Sequence, residues 1–353
     1  MTAKTNAPRR LRRRRRPYGD GRPLMEHEVR TGWLFTAPVV IGLFVFLVLP
    51  IVLTFWVSFR DWNGITSPFE SEWVGLQNYS DLLVEDGIRR TDFAMALRNN
   101  LYYVLGVVPT QTVVAFVLAV VVNQRFLKAK GFFRTAYYFP SITSSIAISL
   151  VFIFLFQTQG AVNLILPFED INWLNNANGV FHNLLGVFGV EQAPGWMADT
   201  DVMGLSLWQW IAGPSVALSA IMILVIWTTT GTMMLIFLAG LQSISPSIEE
   251  AATVDGASPV QQFWRITVPL MKPTIFFVLT IGVIGSWKVF DQIFAITFGG
   301  PRKTTITPAF WIYAQMFDNS KAGLAAAIAM VLLVIIVLFT LMQRWIVGRT
   351  EDL

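Results

Sequence analysis

An all-α integral membrane protein of about six transmembrane helices is the fold class this sequence predicts, and three observations carry it. Of 353 residues, 54% are hydrophobic and only 14% charged, against about 25% charged in soluble domains. Six apolar stretches, at 33–58, 101–122, 136–156, 215–239, 274–294 and 323–345, match the roughly 20 residues a helix needs to cross about 30 Å of hydrocarbon. The charges between them sort by side. With the amino terminus inside, the inside segments hold 18 basic residues and the outside loops 7, while acids run the other way, 8 against 13. Cytoplasmic loops of membrane proteins are enriched in Lys and Arg, so both termini and the segment 242–273 are expected in the cytoplasm.

Residues 1–32 carry ten of the 26 Lys and Arg, clustered at Arg9, Arg10 and Arg12 to Arg16. Such a cluster can grip nucleic-acid phosphate. Directly before a span it reads better as a topology determinant lying against anionic lipid headgroups, so no nucleic-acid role is expected. The apolar stretch that follows is too long for a cleavable signal, and no small-x-small site closes it. Prolines 38, 50, 109 and 140 fall in or beside spans, where membrane helices accommodate kinks. The 40 residues 202–241 are apolar, interrupted only by Gly213-Pro214, and have room for one span or two. Two would move 242–273 outside, so 202–213, with Trp208 and Trp210, is read as an interfacial segment.

Between the fourth and fifth spans lies 245–273, SPSIEEAATVDGASPVQQFWRITVPLMKP. Ser245-Pro246 and Ser258-Pro259 each put a capping hydroxyl before a proline at a first helical position, and Gln261 completes a capping box with Ser258. Asp255-Gly256 supplies residues that tolerate a positive φ and reverse the chain. A short helix, a tight turn and a second short helix are predicted.

Glu250-Ala251-Ala252, Gly256, Ile266, Val268 and Pro269 read E-A-A-x3-G-x9-I-x-V-P. This resembles the cytoplasmic EAA loop of the permease subunits of binding-protein-dependent ABC importers, with Val268 where leucine is usual. Val74-Gly75-Leu76-Gln77-Asn78-Tyr79 resembles the G-L-x-N-Y signature of the carbohydrate-uptake (maltose-transporter-like) branch. So does the F-D-x-I…T-x-G-G-P…T run formed by Phe290-Asp291-Gln292-Ile293, Thr297-Phe298-Gly299-Gly300-Pro301 and Thr304. Trp227 and Leu238-Ala239-Gly240-Leu241 fit as well. The resemblance covers roughly 33–346 and implies the type I ABC importer permease architecture. The long basic amino terminus and an enlarged outside loop at 157–210 depart from it.

The resemblance implies that Glu249, Glu250, Ala251, Ala252, Asp255 and Gly256 form a coupling helix docking on an ATPase. It also implies a second permease subunit in a heterodimer, two ATPase subunits and an extracytoplasmic solute-binding protein, in a bacterial or archaeal plasma (inner) membrane. This chain has no Gly-Lys dipeptide and so no G-x4-G-K-[ST] phosphate loop. ATP and Mg would be bound by the partner, and no cofactor is expected here. Cysteine is absent and His27 and His182 are 155 residues apart, so no metal site is expected either.

Polar side chains inside spans are penalised by lipid and face a bundle or cavity. Trp227, Thr228 and Thr229 on the fourth span, Trp287, Lys288, Asp291 and Gln292 on the fifth, and Tyr138 and Ser141 on the third are candidates for a solute path. Singly, such threonines are more often structural. Lys288 and Asp291, at i and i+3, could pair on one helix face as glue, gate or pathway. The loop 157–210 holds no Lys or Arg but five acids, Glu169, Asp170, Glu191, Asp199 and Asp201, with Asn163, Asn172, Asn175, Asn176, Asn178, Asn183, Trp173 and Trp196. Asn beside Trp suits carbohydrate; a solvated loop or a surface for a binding protein fits equally. The expected function is the permease of an ATP-driven importer of mono- or oligosaccharides. The same machinery for a polyol, glycerol phosphate or peptide, or a membrane enzyme such as a polyprenyl-linked glycosyltransferase, are the alternatives.

Overall fold

The computed structural model describes residues 26–124, 127–166, 171–190 and 192–348. Most of the basic tail, Glu169, Asp170, Glu191 and the carboxyl end from 349 lie outside them. Two compact units are distinguished, Met1–Leu53 and Thr54–Leu353. In the first, helix α1 (Glu26–Leu43) passes through a π-helical turn (Phe44–Val48) into α2 (Leu49–Val57). Pro50 has no N–H to give the carbonyl four residues back, and the ladder widens just ahead of it, Leu49 N–H donating to Phe44 O. Trp33, Phe35, Val39, Phe46 and Val52 are all exposed. A helix apolar all round suits lipid.

The second unit opens with a two-residue hairpin, β1 (Arg60–Asp61) with β2 (Glu72–Trp73), and α3 (Gln77–Leu83). Asn78 Nδ2 donates to the carbonyls of Ser58 (2.9 Å) and Arg60 (3.0 Å), and the Tyr79 hydroxyl shares a 2.6 Å hydrogen bond with Ser58 Oγ. The G-L-x-N-Y residues thus brace the chain where it leaves α2.

Next come α4 (Ile88–Asn123), α5 (Lys130–Ile142) and α6 (Ser145–Phe156), then the outside loop with α7 (Val180–Val187) and the hairpin β3 (Asp201–Val202) with β4 (Leu205–Ser206). They are followed by α8 (Val216–Ser243), α9 (Pro246–Val254), α10 (Pro259–Gln262), α11 (Lys272–Trp287), α12 (Pro308–Tyr313) and α13 (Ala322–Gly348). Residues 202–241 therefore hold one long helix, α8, preceded by the hairpin and a single turn, Leu207–Trp210.

Helices α4 and α8 form the centre. Ala96, Tyr103 and Val107 pack with Leu218, Ile221 and Val225, and Ala115, Ala119 and Val122 with Met234, Phe237 and Leu241. First halves meet and second halves meet, so the two helices run parallel. Val104 and Val108 of α4 pack on Trp287 of α11 and Leu332 of α13. Because lipid supplies little hydrophobic drive between helices, close approach through small residues does the work. Gly231 of α8 shows it: a Cβ there would stand 2.1 Å from the Tyr137 carbonyl oxygen and 2.8 Å from Ser141 Oγ on α5.

Among the described residues four helices, Arg30–Val57, Ile88–Asn123, Val216–Ser243 and Ala322–Trp345, are long and apolar enough to cross a membrane, or up to six spans if each of two bent pairs counts as one. Two expectations are corrected, the first by a bent pair and the second by where α11 ends. The predicted third span, 136–156, is broken between α5 and α6 by a 97° bend, where Thr143 and Ser144 are extended. Pro140 cannot bond the carbonyl four residues before it, and Thr143 Oγ1 donates to Phe139 O instead of continuing the ladder. The predicted fifth span, 274–294, is helical only to Trp287. Lys288 caps it, so Lys288 and Asp291 do not share a helix face. Side chains from other helices satisfy the freed carbonyls: Asn100 Nδ2 donates to Trp287 O (3.3 Å) and Thr307 Oγ1 to Val289 O (2.9 Å). The chain resumes at Asp291 and passes through a π-helical turn, Ile293–Thr297, to Phe298 and Gly299, both at positive φ.

Replacing Gly231 with Ala is expected to destabilise the protein by about 1–3 kcal/mol, the usual cost of overpacking a tight contact. Gly131→Ala on α5, where a Cβ meets nothing within 4 Å, should leave stability unchanged. Thermal unfolding of both variants in detergent checks this, and equal melting temperatures would contradict the α5–α8 crossing.

Candidate functional site

The helical break at 288–290 opens a cavity of about 300 Å3 between α4, α8 and α11. Four of the expected path residues, Thr229, Lys288, Asp291 and Gln292, line it, with Gln111 of α4 and Ser286. The Thr229 hydroxyl lies 2.5 Å from Gln111 Oε1 and 2.7 Å from the Val225 carbonyl oxygen. Gln111 is buried, and Gly282 of α11 lets it in: a Cβ there would sit 2.7 Å from Gln111 Nε2. Gln292 Nε2 donates to Ser145 Oγ at 2.8 Å, tying the rim to the start of α6. Lys288 and Asp291 are exposed and not paired; ion pairs form instead at Arg89–Asp81, Arg90–Asp86 and Lys303–Asp92.

The other five expected residues stand apart from this cavity. Trp287 is buried against Phe339 and Leu332 on α13. Thr228 bonds back to Val225 O. Ser141 is glue, its Oγ donating to Thr228 O (2.5 Å) and accepting from Thr232 N–H (3.2 Å). Trp227 is half exposed and tilts against Phe152, with ring centroids 5.7 Å apart. Tyr138 is half buried on α5. Gln111 was missed by sequence reasoning; the signal was there, a Thr110-Gln111-Thr112 triplet after Pro109 within an apolar span.

The segment 245–273 is a helix–turn–helix. Helix α9 ends in a Schellman arrangement: Gly256 has φ +80°, its N–H donates to Thr253 O, and Ala257 N–H donates to Ala252 O. Ser258 and Gln261 form the capping box that starts α10. Ser245 caps differently from expectation, its hydroxyl meeting Ser247 Oγ at 2.8 Å rather than a backbone N–H. Gln262 Nε2 locks the two helices together through Thr253 Oγ1 (3.1 Å) and Ala257 O (3.0 Å). Glu249, Glu250, Ala251, Asp255 and Gly256 face outward, whereas Ala252 is buried beneath them. Val254 and Trp264 are exposed at 87% and 64%.

In the outside loop, Asn163 and Trp173 are spent on a local knot: Asn163 Nδ2 donates to Thr158 O and Ile171 O, and Trp173 Nε1 donates to Asn163 Oδ1. Asn172 and Asn176 accept from nearby backbone N–H groups in turns. His182 stacks on Trp208 at 4.3 Å; burial holds its pKa below the ordinary range, only partly offset by a hydrogen bond to the Trp208 carbonyl, and the Arg98 charge lowers it further.

Parallel apolar helices, broken spans held by polar side chains and an exposed helix–turn–helix between two spans define a multi-pass membrane permease. Residues 111–352 match the family described as the binding-protein-dependent transport system inner membrane component, and the chain belongs to it, the family of ABC transporter permease subunits. It is a transport permease rather than an enzyme. It is similar to the multiple sugar-binding transport system permease protein MsmF of Streptococcus mutans, 30% identical over 88% of this chain and 93% of that one. It is also similar to the arabinooligosaccharides transport system permease protein AraP of Bacillus subtilis, 29% identical over 90% of this chain and 88% of that one. Among solved structures, a chain of a bacterial alginate ABC transporter in complex with an alginate pentasaccharide-bound periplasmic protein shares the fold, with a TM-score of 0.63 at 20% identity, covering 93% of this chain and 98% of that one.

Thr229→Val is expected to destabilise by about 1 kcal/mol, the scale of interhelical hydrogen bonds in membranes. Combined with Gln111→Leu, the loss should be smaller than the sum of the two single changes. Unfolding of the three variants in detergent measures the coupling; strict additivity would mean that the 2.5 Å contact contributes nothing.

Proposed function

We propose that this chain is the permease subunit of an ATP-driven sugar importer, with 245–273 as its coupling loop. The observation that carries the reading is the pre-formed helix–turn–helix, exposed at Glu249, Glu250, Val254 and Gly256 and rooted on Ala252. Exposed apolar side chains on a rigid surface suit burial by a partner, here an ATPase subunit that binds ATP and Mg. Charge sorting puts the loop and both termini in the cytoplasm. The complex is completed by a second permease in a heterodimer, a second ATPase and an extracytoplasmic solute-binding protein. The sugar assignment is supported by the names of the relatives, for multiple sugars and arabinooligosaccharides. Thr229, Gln292, Lys288 and Asp291, with Gln111, are the groups that meet the solute or gate its path. Glu249, Glu250, Ala251, Ala252, Asp255 and Gly256 carry coupling.

Gly256→Val puts a β-branched residue at φ +80°, where such side chains are strained, and moves the turn. Insertion should be intact, ATP hydrolysis by the assembled transporter retained, and sugar uptake lost; wild-type uptake by this variant would sink the coupling assignment. The absence of cysteine makes topology directly testable. A membrane-impermeant maleimide should label Asn175→Cys in intact cells and Thr253→Cys only after permeabilisation, and the reverse pattern would invert the orientation.

A further inference from the structure

The enlarged outside loop builds a pocket of its own, remote in sequence from the coupling loop. Gly179, just before α7, crosses the segment ahead of α8. Val180 N–H donates to Pro214 O (2.9 Å), Phe181 N–H to Ala212 O (3.1 Å), and Val216 N–H to Asn178 O (3.0 Å). A Cβ on Gly179 would stand 2.1 Å from the Ala212 carbonyl oxygen, so this approach needs glycine. The pocket is open to solvent on one side and has a volume of about 540 Å3, within the roughly 300–1,000 Å3 of small-molecule sites. Arg98 of α4, Asn178, His182, Asn183, Gln209 and Thr304 stand on its walls, and among the described residues no acid does.

Arg98 is the unusual member. Its Nη1 donates to Gln209 O (3.1 Å) and its Nη2 to Asn99 Oδ1 (3.0 Å), both neutral acceptors. Among the described residues no carboxylate lies within ion-pair distance of it, although Arg89, Arg90 and Lys303 on the same side each hold an aspartate. Withdrawing a cation from water without a counter-charge is costly, and an anion arriving in the pocket would offset that cost. The planar guanidinium matches a carboxylate in shape and charge, while the Asn178 and Asn183 amides can donate to and accept from sugar hydroxyls and the Thr304 hydroxyl, which donates to Pro301 O (2.8 Å), can accept from them.

We propose that this pocket binds the carboxylate of an acidic sugar, Arg98 supplying the counter-charge, so that the importer's cargo includes uronate-bearing saccharides. The proposal rests on the sugar-import reading and narrows it. The test is calorimetric titration of the full chain in lipid nanodiscs with glucuronate and galacturonate, against glucose, galactose and inorganic phosphate. One of the uronates should bind about tenfold or more tightly than its neutral counterpart, consistent with a charge-assisted pair. Arg98→Gln should abolish that preference. Asn178→Asp, which sets a carboxylate in the pocket, should weaken the uronate alone and gives a second reading should Arg98→Gln fail to fold. Equal binding of acidic and neutral sugars, a preference that survives Arg98→Gln, or displacement of uronate by equimolar phosphate would each overturn the proposal. Uptake of radiolabelled sugars by cells bearing the whole transporter separates the two claims. Neutral-sugar uptake without uronate preference ends this proposal only, whereas the absence of any sugar uptake ends the import reading on which it rests.

Discussion

Lipid offers no hydrogen bonds, so every interruption of a membrane helix must be satisfied from within the protein, and this chain interrupts its spans repeatedly. At the end of α11, the carbonyls of Trp287 and Val289 are met by Asn100 from α4 and Thr307 from the turn before α12. Where α5 crosses α8, Ser141 meets the backbone at Thr228 and Thr232. Gln292 reaches Ser145 where α6 begins. These bonds hold breaks in place, and a held break gives a cavity wall that a straight helix cannot. The polar side chains in the spans thus fall into two groups. Asn100, Ser141 and Thr307 serve the backbone, while Thr229, Lys288 and Asp291 face a space.

The same constraint explains how the helix–turn–helix at 245–273 is built. Its backbone is closed by its own residues, through the Schellman end at Gly256 and the capping box at Ser258. Side-chain bonds from Gln262 then fix α10 to the turn. Its root reaches the bundle at Phe263, whose ring lies 5.9 Å from that of Phe116 on α4. Helix α8 enters the loop and α11 leaves it, and these two helices carry Thr229 and Ser286 to the cavity. On the coupling reading proposed above, a loop displaced by the ATPase would move cavity walls as a body, the kind of shift that packed interfaces convert into discrete states.

How legible this was in the sequence depends on whether the cause was local. The apolar runs, the capping residues of 245–273 and the Asp255-Gly256 turn act within a few residues, and the structure forms a helix–turn–helix there. The break at Lys288 was not legible, because what stabilises it is distant in sequence: Asn100 lies 187 residues from Trp287. Gln111 and Thr229, 118 residues apart, meet only because Gly282 admits the amide. The asparagines of the outside loop were legible as polar residues but not as roles, since Asn163 is consumed by a knot and Asn178 lines a pocket. Composition could not tell the two apart.

Helix α4 ties these sites into one device. Near its outer end Arg98 faces the loop pocket, and Asn99 Nδ2 donates to the carbonyls of Lys303 (3.1 Å) and Ile306 (3.0 Å), fastening the segment that follows Gly299 and Gly300. Asn100 and Gln111 serve the break and the cavity in the middle. Asn123, at the far end, borders a cavity with Glu249 and Glu250 of α9. The 26 residues from Arg98 to Asn123 rise about 38 Å at 1.5 Å per residue, more than the roughly 30 Å of hydrocarbon. One continuous helix therefore touches the loop pocket, the central cavity and the 245–273 segment. Because α8 runs parallel to it and packs along both halves, the two cannot slide independently without breaking that packing. Motion at the loop is then more readily taken up at the interrupted elements, α5–α6 and α11, whose breaks already lie beside the cavity.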